Sequence, residues 1–207
     1  MKTALAIAAL AALTGPALAG GPTMIADDPM PAAAPAAADV HDWSGPYVGL
    51  SYGKTSGSLD YENPAFSYDV ENGTSRSIHA GYLLQRGNFV YGGELAYSSL
   101  KDTQIVGFPA ESYTKALDLK GRFGVANGRM LAYGVLGWSK VDFERGTTVT
   151  DFSGLAYGVG FAYAATNNID VGLEYLSRTV DGTSPNGAPQ TVTIGLDTLS
   201  LRVGLSF

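Results

Sequence analysis

The last ten residues, Thr198–Phe207, read TLSLRVGLSF. Leu199, Leu201, Val203, Leu205 and Phe207 are apolar, and Ser200, Arg202, Gly204 and Ser206 alternate with them. A period of two marks a β-strand with one apolar and one polar face. The solvent on each face of that strand decides the fold.

The same alternation returns along the chain. One parity carries Val48, Leu50 and Tyr52, then Ile78, Ala80, Tyr82 and Leu84, then Phe89, Tyr91, Leu95 and Tyr97. It continues through Leu117, Leu119, Phe123 and Val125, and through Leu131, Tyr133, Val135, Val141 and Phe143. Two further runs, Leu155 to Tyr163 and Ile169 to Tyr175, precede the terminal strand. In Met130 to Phe143 the pattern is mixed, because Leu136 and Trp138 lie on the opposite parity; a bulge there would restore it. These are about eight segments of about ten residues, the length a tilted strand needs to cross a bilayer.

The opposite parity holds Tyr47, Gly49, Ser51, Gly53, His79, Gly81, Glu94, Ser98, Asp118, Lys120 and Arg122, then Gly154, Gly158, Asp170, Glu174, Arg178 and Arg202. A soluble barrel would turn its bulky parity inward and coat itself with charge. Only 15% of the residues are charged, against 27 Gly and 12 Tyr. The small and polar set suits the inside of a narrow barrel, and the bulky set then faces lipid. The expected fold is an all-β, eight-stranded antiparallel up-and-down transmembrane β-barrel.

The connections alternate in length. Gln85–Asn88, Ala126–Arg129 and Thr166–Asn168 are tight, Gly- and Asn-rich turns. Gly57 to Thr74, Lys101 to Ser112, Glu144 to Asp151 and Asp181 to Gln190 are longer polar stretches. Short turns on the periplasmic side and long loops outside match this pattern and place both ends of the domain in the periplasm.

Ahead of the barrel, residues 1–19 read as a signal peptide. Lys2 supplies the positive start, Ala4 to Leu13 the apolar run, and Ala17-Leu18-Ala19 the cleavage site. Residues 20–42 form an Ala/Pro-rich leader, expected in the periplasm, and the barrel is expected over 43–207. With no Cys, disulfides and thiolate metal sites are excluded, and a net charge of −6 argues against a nucleic-acid partner.

Trp43, Gly45, Tyr47 and Gly49 form a W-x-G-x-Y-x-G opening. It is similar to that of the proteobacterial outer-membrane β-barrel family of OmpA-type eight-stranded barrels, which includes porin-like and opacity-type surface antigens. Leu201, Val203, Leu205 and the terminal Phe207 resemble that family's assembly signal. The resemblance implies residence in the bacterial outer membrane, outer-membrane lipids and the barrel-assembly machinery as partners, and a surface or envelope-integrity role. It leaves room for an extracellular ligand of the loops.

Enzymatic readings find little support in the residues. Of the two histidines, His41 sits in the leader, and His79 is followed by Ala80-Gly81 and lacks the H-x-S spacing of lipid A deacylases. Asp118, Asp170 and Glu174 show no metal spacing, and Gly158-Val159-Gly160 alternates on the inner parity and is not a phosphate loop. No enzyme, cofactor or metal is expected. A structural barrel and a narrow porin for small solutes both remain open. What separates them is lumen filling: Glu94 with Arg122 and Glu174 with Arg202 are expected to pair, extended by Asp118, Lys120, Asp170 and Arg178.

Overall fold

The computed structural model describes residues 41–62, 65–101, 103–105, 108–145, 148–183 and 191–207. The expected signal peptide and the leader up to residue 40 lie outside the described residues, as do residues 184–190 of the last polar stretch. The strands are β1 Gly45–Glu62, β2 Ala65–Arg86, β3 Phe89–Lys101, β4 Gln104–Ile105, β5 Phe108–Asn127, β6 Met130–Arg145, β7 Thr148–Ala164, β8 Ile169–Thr183 and β9 Thr191–Ser206. The two-residue β4 is a short bridge beside β2 and β5; the eight long strands form an antiparallel meander. Pairing of β1 with β9, from Tyr47↔Ser206 to Tyr61↔Val192, closes it into a barrel. Closure leaves no unpaired backbone edge against hydrocarbon.

Alternation then assigns every side chain to a face. On β9, Leu199, Leu201, Val203, Leu205 and Phe207 are exposed, whereas Thr198 and Arg202 are buried. Eight steps at about 3.3 Å, foreshortened by a tilt of about 40°, span roughly 20 Å, close to the apolar band of an outer-membrane barrel. Exposed aromatics edge that band: Tyr52, Tyr97, Trp138, Tyr157 and Tyr175 towards the long hairpins, and Tyr82, Phe89, Tyr91, Phe123, Phe161 and Tyr163 towards the tight turns. At two of those turns Gly87 and Gly128 supply φ of 60° and 59°, which the reversal requires.

Two expectations from sequence are corrected. The first concerns β6. Leu131, Tyr133, Val135, Val141 and Phe143 point into the barrel, with 0–6% exposure, while Leu136 and Trp138 face outward at 53% and 56%. No bulge intervenes, since β6 pairs with β7 in unbroken register from Met130↔Tyr163 to Arg145↔Thr148. The apolar parity of this strand is the inner one because the lumen has apolar layers of its own.

The second concerns the polar stretches. Most of their described residues are strand: Gly57–Glu62 pairs with Ala65–Val70, and β6 and β7 stay paired up to Arg145↔Thr148. β2 reaches 22 residues, about twice what a bilayer crossing requires. Beyond the apolar band the faces exchange character. Lys54, Ser56 and Asp60 are exposed outside, while Leu59, Val70, Leu100, Val141, Phe143, Phe152, Val180, Ile194 and Leu196 pack within. A bulge at Tyr113/Lys115 turns Tyr113 into this core, against Phe143 at 5.2 Å between ring centroids. The protruding barrel thus carries an ordinary water-excluding core.

Candidate functional site

The lumen is filled in layers, and the lowest is the family-like opening motif. Trp43 is 7% exposed and stacks edge-on with His41 at 4.8 Å. Its amide donates to Gln85 Oε1 at 2.8 Å, and the Gln85 amide donates to Ser44 Oγ at 3.0 Å, tying the segment to β2. Ser44's amide also donates to Asp42 Oδ1 at 2.9 Å and, with the Ser44 hydroxyl, holds that exposed carboxyl below its ordinary range. Gly45 has a φ of 126°, and a Cβ there would sit 2.9 Å from the carbonyl oxygen of Phe207. The start of β1 and the end of β9 therefore meet at the seam. At Gly49 a Cβ would fall 2.2 Å from His79 Nε2 and 2.5 Å from the Val203 carbonyl oxygen. The motif is a packed floor.

Above it lies a charged layer. Glu94 on β3 touches three cations: Lys120 Nζ at 2.8 Å, Arg122 Nη1 at 3.3 Å and Arg202 in close contact. Glu174 on β8 takes Lys120 at 2.8 Å and Arg202 at 2.9 Å. The two carboxylates and their shared cations thus bridge β3, β5, β8 and β9 across the lumen. Tyr47 Oη donates to Glu94 Oε2 at 2.7 Å and accepts from Arg122 at 3.0 Å. Tyr133 Oη donates to Glu174 Oε2 at 3.1 Å, and the Arg122 guanidinium lies 4.0 Å over the Tyr133 ring. Glycines make room for the phenols: a Cβ on Gly81 or Gly160 would strike the hydroxyl of Tyr47 or Tyr133.

A second cluster sits one level nearer the long hairpins. Arg178 forks onto Asp118 at 2.7 and 2.9 Å, the planar two-point match that favours arginine. Ser139 donates to the same carboxylate at 2.6 Å. Arg178 also donates to Thr198 Oγ1 at 3.0 Å, and Thr198 pairs with Thr55 at 3.0 Å. Burial of charge is costly unless each group is paired, and here the carboxylates carry several donors each.

The structure brings together seven of the eight charged residues singled out in sequence: Glu94, Asp118, Lys120, Arg122, Glu174, Arg178 and Arg202. Asp170 stands apart, half-buried against Gly204, with no ion pair among the described residues. Sequence reasoning did not place Tyr47 or Tyr133 in the network. Tyr47 was placed on the inner parity and in the opening motif without a charged partner, and Tyr133 was assigned to the lipid side. His79 is 5% exposed, 6.2 Å from the Tyr47 ring, and its Nδ1 has no hydrogen-bond partner among the described residues. No cluster of three or more metal-ligating side chains occurs among the described residues.

Space left inside is small. The cavity between the charged clusters, lined by Ser51, Ser77, Ser98, Lys120, Glu174 and Arg178 among others, measures about 20 Å³, room for about one water. Chemically the arrangement is a layer of mutually paired charges between two apolar layers, with Arg122 Nε and His79 Nδ1 left without hydrogen-bond partners among the described residues.

The fold has solved counterparts. Neisserial surface protein A aligns with 79% of this chain and 98% of its own, at 17% identity and a TM-score of 0.52. The N-terminal β-barrel of Pseudomonas aeruginosa OprF aligns with 79% of this chain and 98% of its own, at 14% identity and 0.49. P. aeruginosa OprG aligns with 82% of this chain and 98% of its own, at 13% identity and 0.49. No curated protein matches the sequence. The family model for the outer membrane protein β-barrel domain matches residues 30–207. With most of the chain inside that match, and eight membrane-length strands closed into one barrel, the chain belongs to the outer membrane protein β-barrel family and resides in the bacterial outer membrane.

Proposed function

We propose that this protein is a non-conducting structural barrel of the outer membrane that holds paired-strand hairpins outside the cell. One observation carries the reading: the Glu94–Lys120–Glu174–Arg202 network crosses the lumen, and the cavity between the charged clusters measures only about 20 Å³. An ion crossing it would have to break pairs already deprived of bulk water. The apolar layers above and below add a dewetted path at each end.

Orientation follows from the unequal connections, with tight turns in the periplasm and the long hairpins, β1–β2 foremost, outside. Loops and hairpin tips on a rigid frame are where binding groups usually sit, so contact with an extracellular ligand belongs to that end. The outward face of β9, ending at the exposed Phe207, is the surface offered to the assembly machinery. No enzymatic role is part of the proposal.

Single-channel recording in planar bilayers tests the plug. Wild type is expected to pass negligible current, and Glu94→Ala or Arg122→Ala to open a small conductance. Stable, sizeable conductance in wild type would favour the narrow porin and overturn the proposal.

A further inference from the structure

The outer wall of the barrel changes composition where the apolar band ends, and it does so unevenly around the circumference. On β1, β2, β3, β5 and β6 the first outward charged positions are Lys54, Arg76, Lys101, Lys115 and Lys140, all exposed. On β7, β8 and β9 the first outward charged positions are Asp151, Asp181 and Asp197. One arc of the rim is basic and the other acidic.

Register fixes how close the cations are. Arg76 pairs with Tyr52 and Ser99, Lys54 and Lys101 flank Thr74, and Lys115 pairs with Ser99. Lys54, Arg76, Lys101 and Lys115 are therefore successive diagonal neighbours across four strands, about 7–8 Å apart. Asp197 lies diagonal to Lys54, and Asp142 lies opposite Lys115. The middle two, Arg76 and Lys101, have no carboxylate as a cross-strand neighbour among the described residues. Like charges this close repel, and an external anion between them removes that cost.

The wall beneath the cluster is grooved. A furrow of about 570 Å³ runs from Arg76 down past Leu50, Ile78, Tyr97 and Val203. It abuts a second of about 680 Å³ that includes Ala80 and Leu95. Both lie on the lipid-facing side, where Ala80 is short beside its bulky neighbours.

We infer that the β1–β5 face of the barrel is a docking site for a phosphorylated, multiply acylated glycolipid of the outer leaflet, its phosphates held by Arg76 and Lys101 and an acyl chain seated in the furrow. The inference rests on the proposed orientation, which places the rim at the outer leaflet. Charge complementarity selects the basic arc and the acidic arc excludes the same lipid. Arg76, 6.0 Å from the Tyr52 ring, stands at the aromatic edge of the band, the depth of a headgroup.

Native mass spectrometry of the detergent-solubilised full chain tests it, with a bisphosphorylated, hexa-acylated diglucosamine lipid as probe and its dephosphorylated form as comparison. Wild type should retain the phosphorylated lipid about tenfold or more better than the dephosphorylated one, since charge-assisted contacts are lost with the phosphates. The double variant Arg76→Gln, Lys101→Gln should lose binding by a similar factor. Lys140→Gln, on the same rim but already paired with Asp151 at 2.8 Å, should bind as wild type. Equal retention of the two lipids by wild type overturns the proposal without any variant. So does full competition by inorganic phosphate, which would mark a simple anion site. Detergent binding is indifferent to orientation, which is read separately: Asp60→Cys on intact cells should react with a membrane-impermeant maleimide, and Asn88→Cys should not.

Discussion

Replacing Glu94 by Gln removes one negative charge from the centre of the lumen while leaving its volume and its hydrogen bond from Tyr47 in place. In wild type that carboxylate holds Lys120 at 2.8 Å, Arg122 at 3.3 Å and Arg202 in close contact. At an effective dielectric of about 20, a pair at that shorter separation attracts by about 6 kcal/mol before desolvation is counted. In the variant, Glu174 still meets Lys120 and Arg202, but Arg122 keeps only the Tyr47 hydroxyl and the Tyr133 ring. A buried cation without a carboxylate should cost the barrel about 3–5 kcal/mol. Urea titration in lipid vesicles, with folded and unfolded bands resolved on unheated gels, measures the loss. Adding Arg122→Met removes the stranded charge, so the double variant should recover part of it, with a coupling of about 1–3 kcal/mol. A loss below about 1 kcal/mol, with no coupling to Arg122→Met, would refute the plug and mean that water already screens these groups.

On the outer face, Val203→Arg should cost about 2–4 kcal/mol in the same titration, whereas Ser200→Arg should act through crowding of the lumen. In β6 the revised parity makes Leu136→Arg a lipid-face lesion of that size. Tyr133→Phe should cost less, about 1.5–2 kcal/mol, for the lost bond to the charged Glu174; the opposite ranking would put Tyr133 on the lipid face. Gly49→Ala brings a methyl group to within 2.5 Å of the Val203 carbonyl oxygen, so β9 must shift at the seam. A loss of about 1–3 kcal/mol or more is expected, and wild-type stability would show the floor to be loosely packed.

Most of the fold was legible because lipid and lumen impose opposite demands on alternate residues. Where both demands are for apolar groups, alternation says nothing. β6 is that case: Leu131, Val135 and Phe143 line the lumen while Leu136 and Trp138 face outward. The charged layer was partly legible by the same logic. Glu94 and Arg122 sit two residues apart in register on adjacent strands, since Glu94 pairs with Lys120, so their meeting needs only the pairing order. The contact of Arg202 with Glu94 spans 108 residues and crosses the lumen, and only the barrel's width brings it about. Tyrosine is ambiguous in a membrane barrel, because its ring suits the lipid edge and its hydroxyl suits a polar interior. Tyr47 and Tyr133 took the second use; alternation put Tyr47 on the inner parity, but it grouped Tyr133 with the outward Tyr97 and Tyr157.

The exchange of faces along a single strand bears on how the barrel stands in its membrane. On β1 the inner parity runs Tyr47, Gly49, Ser51, Gly53, Thr55 and Leu59, while the outer runs Val48, Leu50, Tyr52, Lys54, Ser56 and Asp60. β9 crosses over at the same height, with Leu196, Ile194 and Val192 inside and Asp197 and Thr193 outside. In the lower half lipid receives the apolar side chains, and the charges must be paired within. In the upper half water receives the polar ones, and an apolar core fills the interior. Sliding the barrel in either direction would bring charge into hydrocarbon or apolar surface into water, both unfavourable. The crossing point between Tyr52 and Lys54 therefore pins the depth of the barrel, and it holds the hairpin core clear of the bilayer.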